Sequence, residues 1–367
     1  MRDQIREATA RIDANPLGRL MHGQRELFHS NLLAWFFDVL PREADRAFSD
    51  LVGSGAERHR SVERERQNLD LVFRWPGRAP LVIENKVFSL PSLQQLDDYA
   101  RVVAAWSGSS DATLCLLSMS RPGLTTRYDG SQYTANGWRY LSYLELAERI
   151  EQAVEAPTYE SETMRRYAAL VRDLHALLDA MSVASDDESV WTPDEALAAV
   201  TSSQTRAALR KARAQRVAEV VGDRIGATGR AVKFGLTNAT PLVEWFGPAT
   251  VGGHNLWLGW QLQGNQFRRA VVFGPELEGR SAESRDAREA VSREHPEFFA
   301  FPAALGGTPA GRKEFNHFAP GFVYRYVKVP GLTIAQLEAA AAAVKSEVES
   351  IGYDGIAPMG RAFVAAD

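Results

Sequence analysis

Asp70, Glu84 and Lys86 fall within one short span, NLDLVFRWPGRAPLVIENKV, from Asn68 to Val87. The span reads as two apolar strands either side of the reversal WPGRAP, where Pro76-Gly77 favours a turn. Side chains two apart on a strand share a face, so Glu84 and Lys86 project together while Asn85 faces away. A hairpin-like return sets Asp70 beside Glu84. Two carboxylates begin an oxygen shell for Mg²⁺ (or Mn²⁺), which completes its octahedron with waters. Such an ion lowers the pKa of a water and neutralises charge building on a phosphate. The Lys86 ammonium would hold the attacking water or stabilise the pentacovalent oxyanion. These residue types at this spacing point to hydrolysis of a phosphodiester.

A Glu-x-Lys triplet alone reads first as a surface ion pair on an edge strand. Its context favours chemistry. Ile83 and Val87 flank it with apolar residues, and Asp70 opens another apolar strand upstream. In the next helix, Gln95 and Tyr99 stand four apart and share the face beside the site. Earlier, RELFHSN places Glu26 and His29 one turn apart. For His29, helix packing or capping is the first reading, with phosphate or metal contact as the alternative.

The elements that must position these groups follow from periodicity. Helices are expected over Arg2–Asp13, Glu26–Leu40 and Ala44–Val52. Strands are expected over Arg60–Arg66, Leu69–Trp75 and Pro80–Lys86, then a helix from Leu90 to Trp106 opening near Pro91. ATLCLLSM, Ala112 to Met119, suits a strand buried on both faces. Trp138–Tyr143 adds a strand, and Leu144–Val154 and Thr163–Met181 add helices. This order describes an α/β core with helices packed on a mixed sheet. The first domain spans 1–183, with a linker over 184–192 that takes in most of the acidic stretch VASDDESVW (Val183–Trp191). Residues 193–367 then form a second, α+β domain. It opens with a helix capped at Thr192 and reaching about Ile225, followed by strands at Leu256–Leu262, Ala270–Phe273 and Phe322–Val329. A final alanine-rich helix covers Thr333–Ile351.

Composition narrows the class. The chain has 367 residues, 45% hydrophobic and 24% charged, which is ordinary for a soluble globular protein of two domains. No apolar run is long enough to cross a bilayer, because Asp38 interrupts LLAWFFDVL. The charged N-terminus lacks a secretion signal. One cysteine, Cys115, sits in an apolar run, which suits a reducing cytoplasm. A net charge of −4 argues against a histone-like binder, though not against a nuclease with local basic groups. Arg58, Arg60, Arg64 and Arg66 precede the site, and Arg206, Arg210, Lys211, Arg213 and Arg216 form a basic helical stretch. Both are solvated surfaces or phosphate contacts, Arg64, Arg66, Arg210 and Lys211 being the candidates for nucleic acid. No zinc-ligand spacing, phosphate-binding glycine loop or nucleophile elbow is present.

Together NLDLVF and PLVIENKV resemble the second and third motifs of the PD-(D/E)xK nuclease superfamily, with Leu69 where the superfamily name has proline. Gln95 and Tyr99 resemble the Q-x-x-x-Y motif of its RecB-like branch. RELFHSNLLAWFFDVL resembles the opening helix of a bacterial group within it. The resemblance covers about residues 20–120. It implies a restriction-endonuclease-like fold and metal-dependent hydrolysis of DNA. Asp70, Glu84, Lys86 and Gln95 would be catalytic, and Asp70 and Glu84 would bind metal with help from Glu26. For Glu26 a carboxylate opposing the helix dipole is the plain alternative. A bacterial defence role follows from the resemblance alone. Three readings compete: an active Mg²⁺-dependent deoxyribonuclease, a catalytically silent scaffold binding DNA or a partner, and a nuclease gated by a ligand or foreign protein sensed by the C-terminal domain. A single centre per chain makes a homodimer convenient for cutting both strands.

Overall fold

The computed structural model describes residues 1–21, 25–52, 60–76, 79–88, 93–106, 112–119, 137–227, 232–274, 277–306, 309–310, 313–318 and 321–353. Pro91, Arg58 and the Pro76-Gly77 turn with its Gly77 lie wholly or partly outside them. The chain divides into two compact units, Met1–Ala180 with Asp194–Leu209, and Met181–Pro193 with Arg210–Asp367.

The first unit opens with α1 (Arg2–Ala14), α2 (Pro16–Met21), α3 (Arg25–Val39), α4 (Pro41–Ala47) and α5 (Ser49–Val52). The single helix expected over Ala44–Val52 is thus two, and α2 escaped notice in the sequence. Next come β1 (Ser61–Arg66), β2 (Leu69–Arg74), β3 (Leu81–Lys86), α6 (Leu93–Ala104), β4 (Thr113–Ser118) and β5 (Trp138–Ser142). Two long helices, α7 (Tyr143–Ala153) and α8 (Tyr159–Asp179), follow, with the one-turn α9 (Asp194–Leu197) also in this unit. The strands form one five-stranded sheet in chain order. β1, β2 and β3 pair antiparallel, while β3, β4 and β5 pair parallel. The sheet is therefore mixed and flanked by helices, the restriction-endonuclease-like arrangement.

The two sheet faces bury different partners. Val72, Val82, Leu114 and Leu116 pack against Leu96 and Val103 of α6, with Tyr99 at the margin. On the opposite face the Phe37 ring of α3 meets Phe73 of β2, centroids 4.3 Å apart. β3 and β4 read as near-continuous apolar runs because both of their faces are covered. Cys115 is fully buried in β4, and burial pushes its thiol well above the ordinary range. No helix among the described residues is long and apolar enough to cross a membrane.

The second unit holds most of α10 (Ser203–Arg224). It continues with β6 (Lys233–Thr237), β7 (Thr240–Val251), β8 (His254–Gln263), β9 (Gln266–Phe273), α11 (Ala282–Glu294), β10 (Pro309–Ala310), β11 (Asn316–Phe318), β12 (Phe322–Lys328) and α12 (Ile334–Ile351). Its strands form a seven-stranded antiparallel sheet in the order β10-β12-β9-β8-β7-β6, with β11 on β12. Trp260, Phe267 and Val323 face a core shared with Val217 of α10 and Leu337 and Val344 of α12. A capping box at Thr333 and Gln336 starts α12.

The acidic stretch read as a linker is built into this unit. The Val190 amide donates to the Leu332 carbonyl at 2.8 Å, and Ser189 bridges Thr333. Buried Arg213 secures it, donating to the Ser189, Val190 and Ser182 carbonyls at 2.8, 2.9 and 2.7 Å and pairing with Glu188 at 3.1 Å. A residue read as part of a basic surface is thus a core tie. Composition suggested a solvated tether because Asp186, Asp187 and Glu188 dominate it, whereas its backbone carbonyls carry the structure.

One close approach fixes the centre of this sheet. A Cβ on Gly259 would lie 2.0 Å from the Trp245 carbonyl oxygen and 2.8 Å from the Phe246 Cα. Backbone on the paired strand cannot yield without opening the β7–β8 ladder. Gly259→Ala is therefore expected to destabilise the second unit by about 1–3 kcal/mol. A lowered urea midpoint would register this, and an unchanged midpoint would show that the strands separate freely.

Candidate active site

β2 and β3 place the two carboxylates. Their register pairs Leu71 with Ile83 and Val72 with Val82, so the next step sets Asp70 across from Glu84. Cross-strand partners share a face, here the one covered by α6. The Asp70 Oδ2 accepts a hydrogen bond from the Asn85 amide at 2.7 Å. Glu84 is only 1% exposed, and its Oε2 is buried without a hydrogen-bond partner. Its Oε1 lies 2.9 Å from the Lys86 Nζ.

Electrostatics follow from that burial. Desolvation, reinforced by the Asp70 charge and only partly offset by Lys86, pushes Glu84 up to about 8. Burial likewise pushes Asp70 up to about 6 against the stabilising Asn85 amide and Lys86. Lys86 loses some of its charge preference to burial, but Glu84 and Glu26 outweigh that and leave its pKa raised. At neutral pH the lysine is charged, and Glu84 largely keeps its proton. Two adjacent carboxylates with a single partner ammonium and an unpartnered buried oxygen are undercompensated. Their oxygens suit a hard divalent cation, which needs only a few protein ligands alongside waters.

α3 sets Glu26 against Lys86. Glu26 at the start of α3 sends its Oε2 to within 3.9 Å of Lys86 Nζ. Among the described residues no group of three or more His, Cys, Asp or Glu side chains is gathered closely enough to hold an ion. Asp70 and Glu84 are thus the two carboxyl groups set side by side, with Glu26 on the lysine side. His29 is fully buried, and desolvation pushes it down to about 3, so it is neutral and out of reach of a phosphate. On α6 the Gln95 amide donates to the Tyr99 hydroxyl at 2.9 Å, fixing the two against each other.

The basic residues separate into different roles. Arg60 is a packing residue: it pairs with Asp45, donates to the Phe37 carbonyl at 2.8 Å and lies over the Phe37 ring at 4.8 Å. Arg66 pairs with Glu63 and rests 5.1 Å from the centre of a Trp106 ring. Arg64 is exposed on β1 and bonds to Asn31. Arg210 and Lys211 are half-buried on α10.

Sequence reasoning passed over Asn85, treated there as the residue facing away. It is completely buried, and its Nδ2 donates to the Glu26 carbonyl at 2.9 Å and to Ser30 Oγ at 3.1 Å. Its Oδ1 accepts from the Tyr143 hydroxyl. The signal was available: an amide on the helix-covered face of a buried strand must find partners for every polar atom.

With this geometry in place, comparison with known proteins adds one finding. The family model of the PD-(D/E)XK nuclease superfamily matches residues 17–171, which hold the whole of this site. No curated protein and no solved structure matches the chain.

Proposed function

We propose that this chain, whose residues 17–171 match the family model of the PD-(D/E)XK nuclease superfamily, is a metal-dependent deoxyribonuclease working through Asp70, Glu84 and Lys86. The observation that carries the reading is the opposed Asp70–Glu84 pair, with an orphaned buried oxygen on one side and an ammonium 2.9 Å away on the other. A scaffold has no use for that arrangement, which costs stability (two carboxyl groups desolvated side by side) unless something binds there. Mg²⁺ or Mn²⁺ would be held by Asp70 and Glu84 and, when bound, would supply Lewis-acid polarisation of the phosphate and a more acidic water.

The chain's own groups do the rest. The Asn85 amide orients the Asp70 carboxylate, leaving its other oxygen for the ion. Glu84 and Glu26 hold the Lys86 side chain charged and directed at the strand ends. From there it donates to the attacking water or to the phosphoryl oxygen as negative charge gathers. Gln95, braced by Tyr99, lies at the opening of the helix covering the same sheet face and is assigned to contact the substrate or water. Of the basic residues assigned to a phosphate backbone, Arg64 is the exposed one, while Arg66, Arg210 and Lys211 are half-buried. A bacterial defence setting is supported only by the kind of protein these motifs resemble, and a cytoplasmic location by the lone Cys115 in its apolar run.

The test is incubation of the purified chain with plasmid and linear DNA, and with RNA, in Mg²⁺, Mn²⁺ or EDTA. Cleavage of DNA that EDTA abolishes, and that falls by at least about 10²-fold in Lys86→Ala, is the expected result. Metal-independent cutting, or cutting unaffected by Lys86→Ala, would remove the assignment. A wild type that binds DNA but never cuts it would return the chain to the scaffold reading.

A further inference from the structure

Arg74 escaped notice in the sequence, yet it shares a sheet face with Asp70. The two stand four residues apart on β2, an even step that puts both on the side covered by α6. Arg66, on the edge strand β1, pairs with Leu69, the residue before Asp70. Both guanidiniums meet on Trp106, just beyond the end of α6. Arg74 Cζ lies 4.5 Å and Arg66 Cζ 5.1 Å from the centre of its ring. The ring is itself held, because the indole Nε1 donates to Gln67 Oε1 at 2.9 Å, in the turn between β1 and β2. Glu63 pairs with both arginines, with Arg66 and, at 3.1 Å, with Arg74 Nε.

Charge does not balance in this cluster. One carboxylate serves two guanidiniums, which leaves a surplus positive charge beside the strand that carries Asp70. Packing alone has no need of that surplus, since an apolar side chain would seat Trp106 as well. The nitrogens divide by role. Arg66 Nε and Arg74 Nη2 are buried without a hydrogen-bond partner. Arg66 Nη2 and Arg74 Nη1 are neither buried nor hydrogen-bonded among the described residues, so they face solvent. The two side chains are 37% and 30% exposed, enough for a ligand to reach them. Each guanidinium is thus a planar fork, anchored on Glu63, stacked on an aromatic ring and open at its other end. Forks held this way lose little freedom on binding and match the oxygens of a phosphate. Exposed Glu65 lies on the same strand, so the attraction comes from placed donors rather than from a broad positive field.

We propose that Arg66 and Arg74, braced by Trp106 and Glu63, form a phosphate-binding platform that grips the DNA backbone beside the scissile phosphate. Neither arginine touches the reacting atoms; they hold the strand from which Asp70, Glu84 and Lys86 select one bond. The choice of DNA as ligand rests on the nuclease reading above, but binding can be read without any cleavage.

The test is fluorescence anisotropy of a labelled DNA duplex titrated with the purified chain in EDTA, over a series of salt concentrations. Each phosphate contact contributes about 0.9 to the slope of log affinity against log salt. Arg66→Gln and Arg74→Gln should each lower the slope by about 0.9 and weaken binding about five- to ten-fold at about 0.1 M salt. The two variants probe the same claim, so a folding defect in one leaves the other to decide. Arg74→Lys keeps the charge but loses the fork and the stack, and should fall between the wild type and Arg74→Gln. Trp106→Leu retains both charges and should still weaken binding about three-fold, because the guanidiniums are no longer held. Arg172→Gln removes the same charge from α8 and should stay within about two-fold of the wild type. Wild-type slope and affinity in both glutamine variants, an equal loss in Arg172→Gln, or a wild type that binds no DNA would each overturn the platform. Wild-type affinity in Trp106→Leu would overturn its bracing. If the wild type binds through these arginines but never cuts, the nuclease reading falls and the platform stands. If it cuts through Lys86 while binding ignores Arg66 and Arg74, the platform alone falls.

Discussion

Glu84→Gln is expected to melt at a higher temperature than the wild type in EDTA at pH 8, and to have lost its cleavage. Both effects come from one atom group. A carboxylate that is 1% exposed, opposite Asp70 and with Oε2 unpartnered, is uncomfortable in the metal-free fold. Glutamine keeps the shape and removes the charge, so desolvation and the repulsion from Asp70 disappear together. Lys86 loses its partner at 2.9 Å but keeps Glu26 at 3.9 Å, and it is not completely buried. A net gain of about 1 kcal/mol follows, which is about 2–4 °C in a unit of this size. Cleavage should drop by at least about 10³-fold, equivalent to about 4 kcal/mol of transition-state stabilisation. Thermal unfolding in EDTA beside a plasmid-nicking assay reads both. A variant that melts lower and still cuts would show that Glu84 is a structural partner of Lys86 and nothing more.

The first unit was legible in the sequence where apolar periodicity and chemistry coincided. β2 and β3 were found because LVF and LVI are apolar runs, and the Glu84–Lys86 alternation is a two-residue period that only a strand produces. The Asp70–Glu84 pairing followed from the hairpin reversal between them. α1, α7 and α8 were found because each carries one apolar stripe, and α3 because it is apolar over most of its circumference. Asn85, Tyr143 and Tyr167 were not legible, because buried polar contacts join positions 58 and 138 residues apart, and no local pattern records which side chain meets which hydroxyl. Glu26 shows the same limit: its place on the helix was readable, but whether it turned to the metal pair or to Lys86 depends on how α3 crosses the sheet. The second unit was harder. β7 contains Pro241, Gly247 and Pro248 within its span, which breaks the strand signature, yet it pairs along ten residues of β8. The charged face of α11 has only a weak apolar stripe, with Arg288 and Ser292 as its buried residues. Long-range pairing overrides local preference there.

Metal-free stability should fall as pH rises through the neutral range, the reverse of the usual behaviour of paired carboxylates. Glu84 moves from an ordinary 4.5 to about 8, and Asp70 from 3.8 to about 6. Between each pair of values the folded state holds a proton that the unfolded state has released. Stability therefore has its full contribution from these groups below about pH 4, loses it through pH 6 for Asp70, and has lost it above pH 8 for Glu84. Other groups titrate in the same interval, so the quantity to read is the difference between wild type and Glu84→Gln. That difference should widen in favour of the variant from pH 5.5 to 8.5. A divalent cation reverses the slope, since occupying the pair requires that the Glu84 proton leave. Mg²⁺ affinity should rise roughly ten-fold per pH unit around pH 7, more steeply near pH 6 where Asp70 also gives up a proton, and level off above pH 8, with close to one proton released per ion at pH 7. Calorimetry in buffers of different ionisation enthalpy counts that proton directly. Affinity that is flat across this range, with no proton released, would mean that the ion does not bind at Glu84, and Asp70 alone cannot make the site.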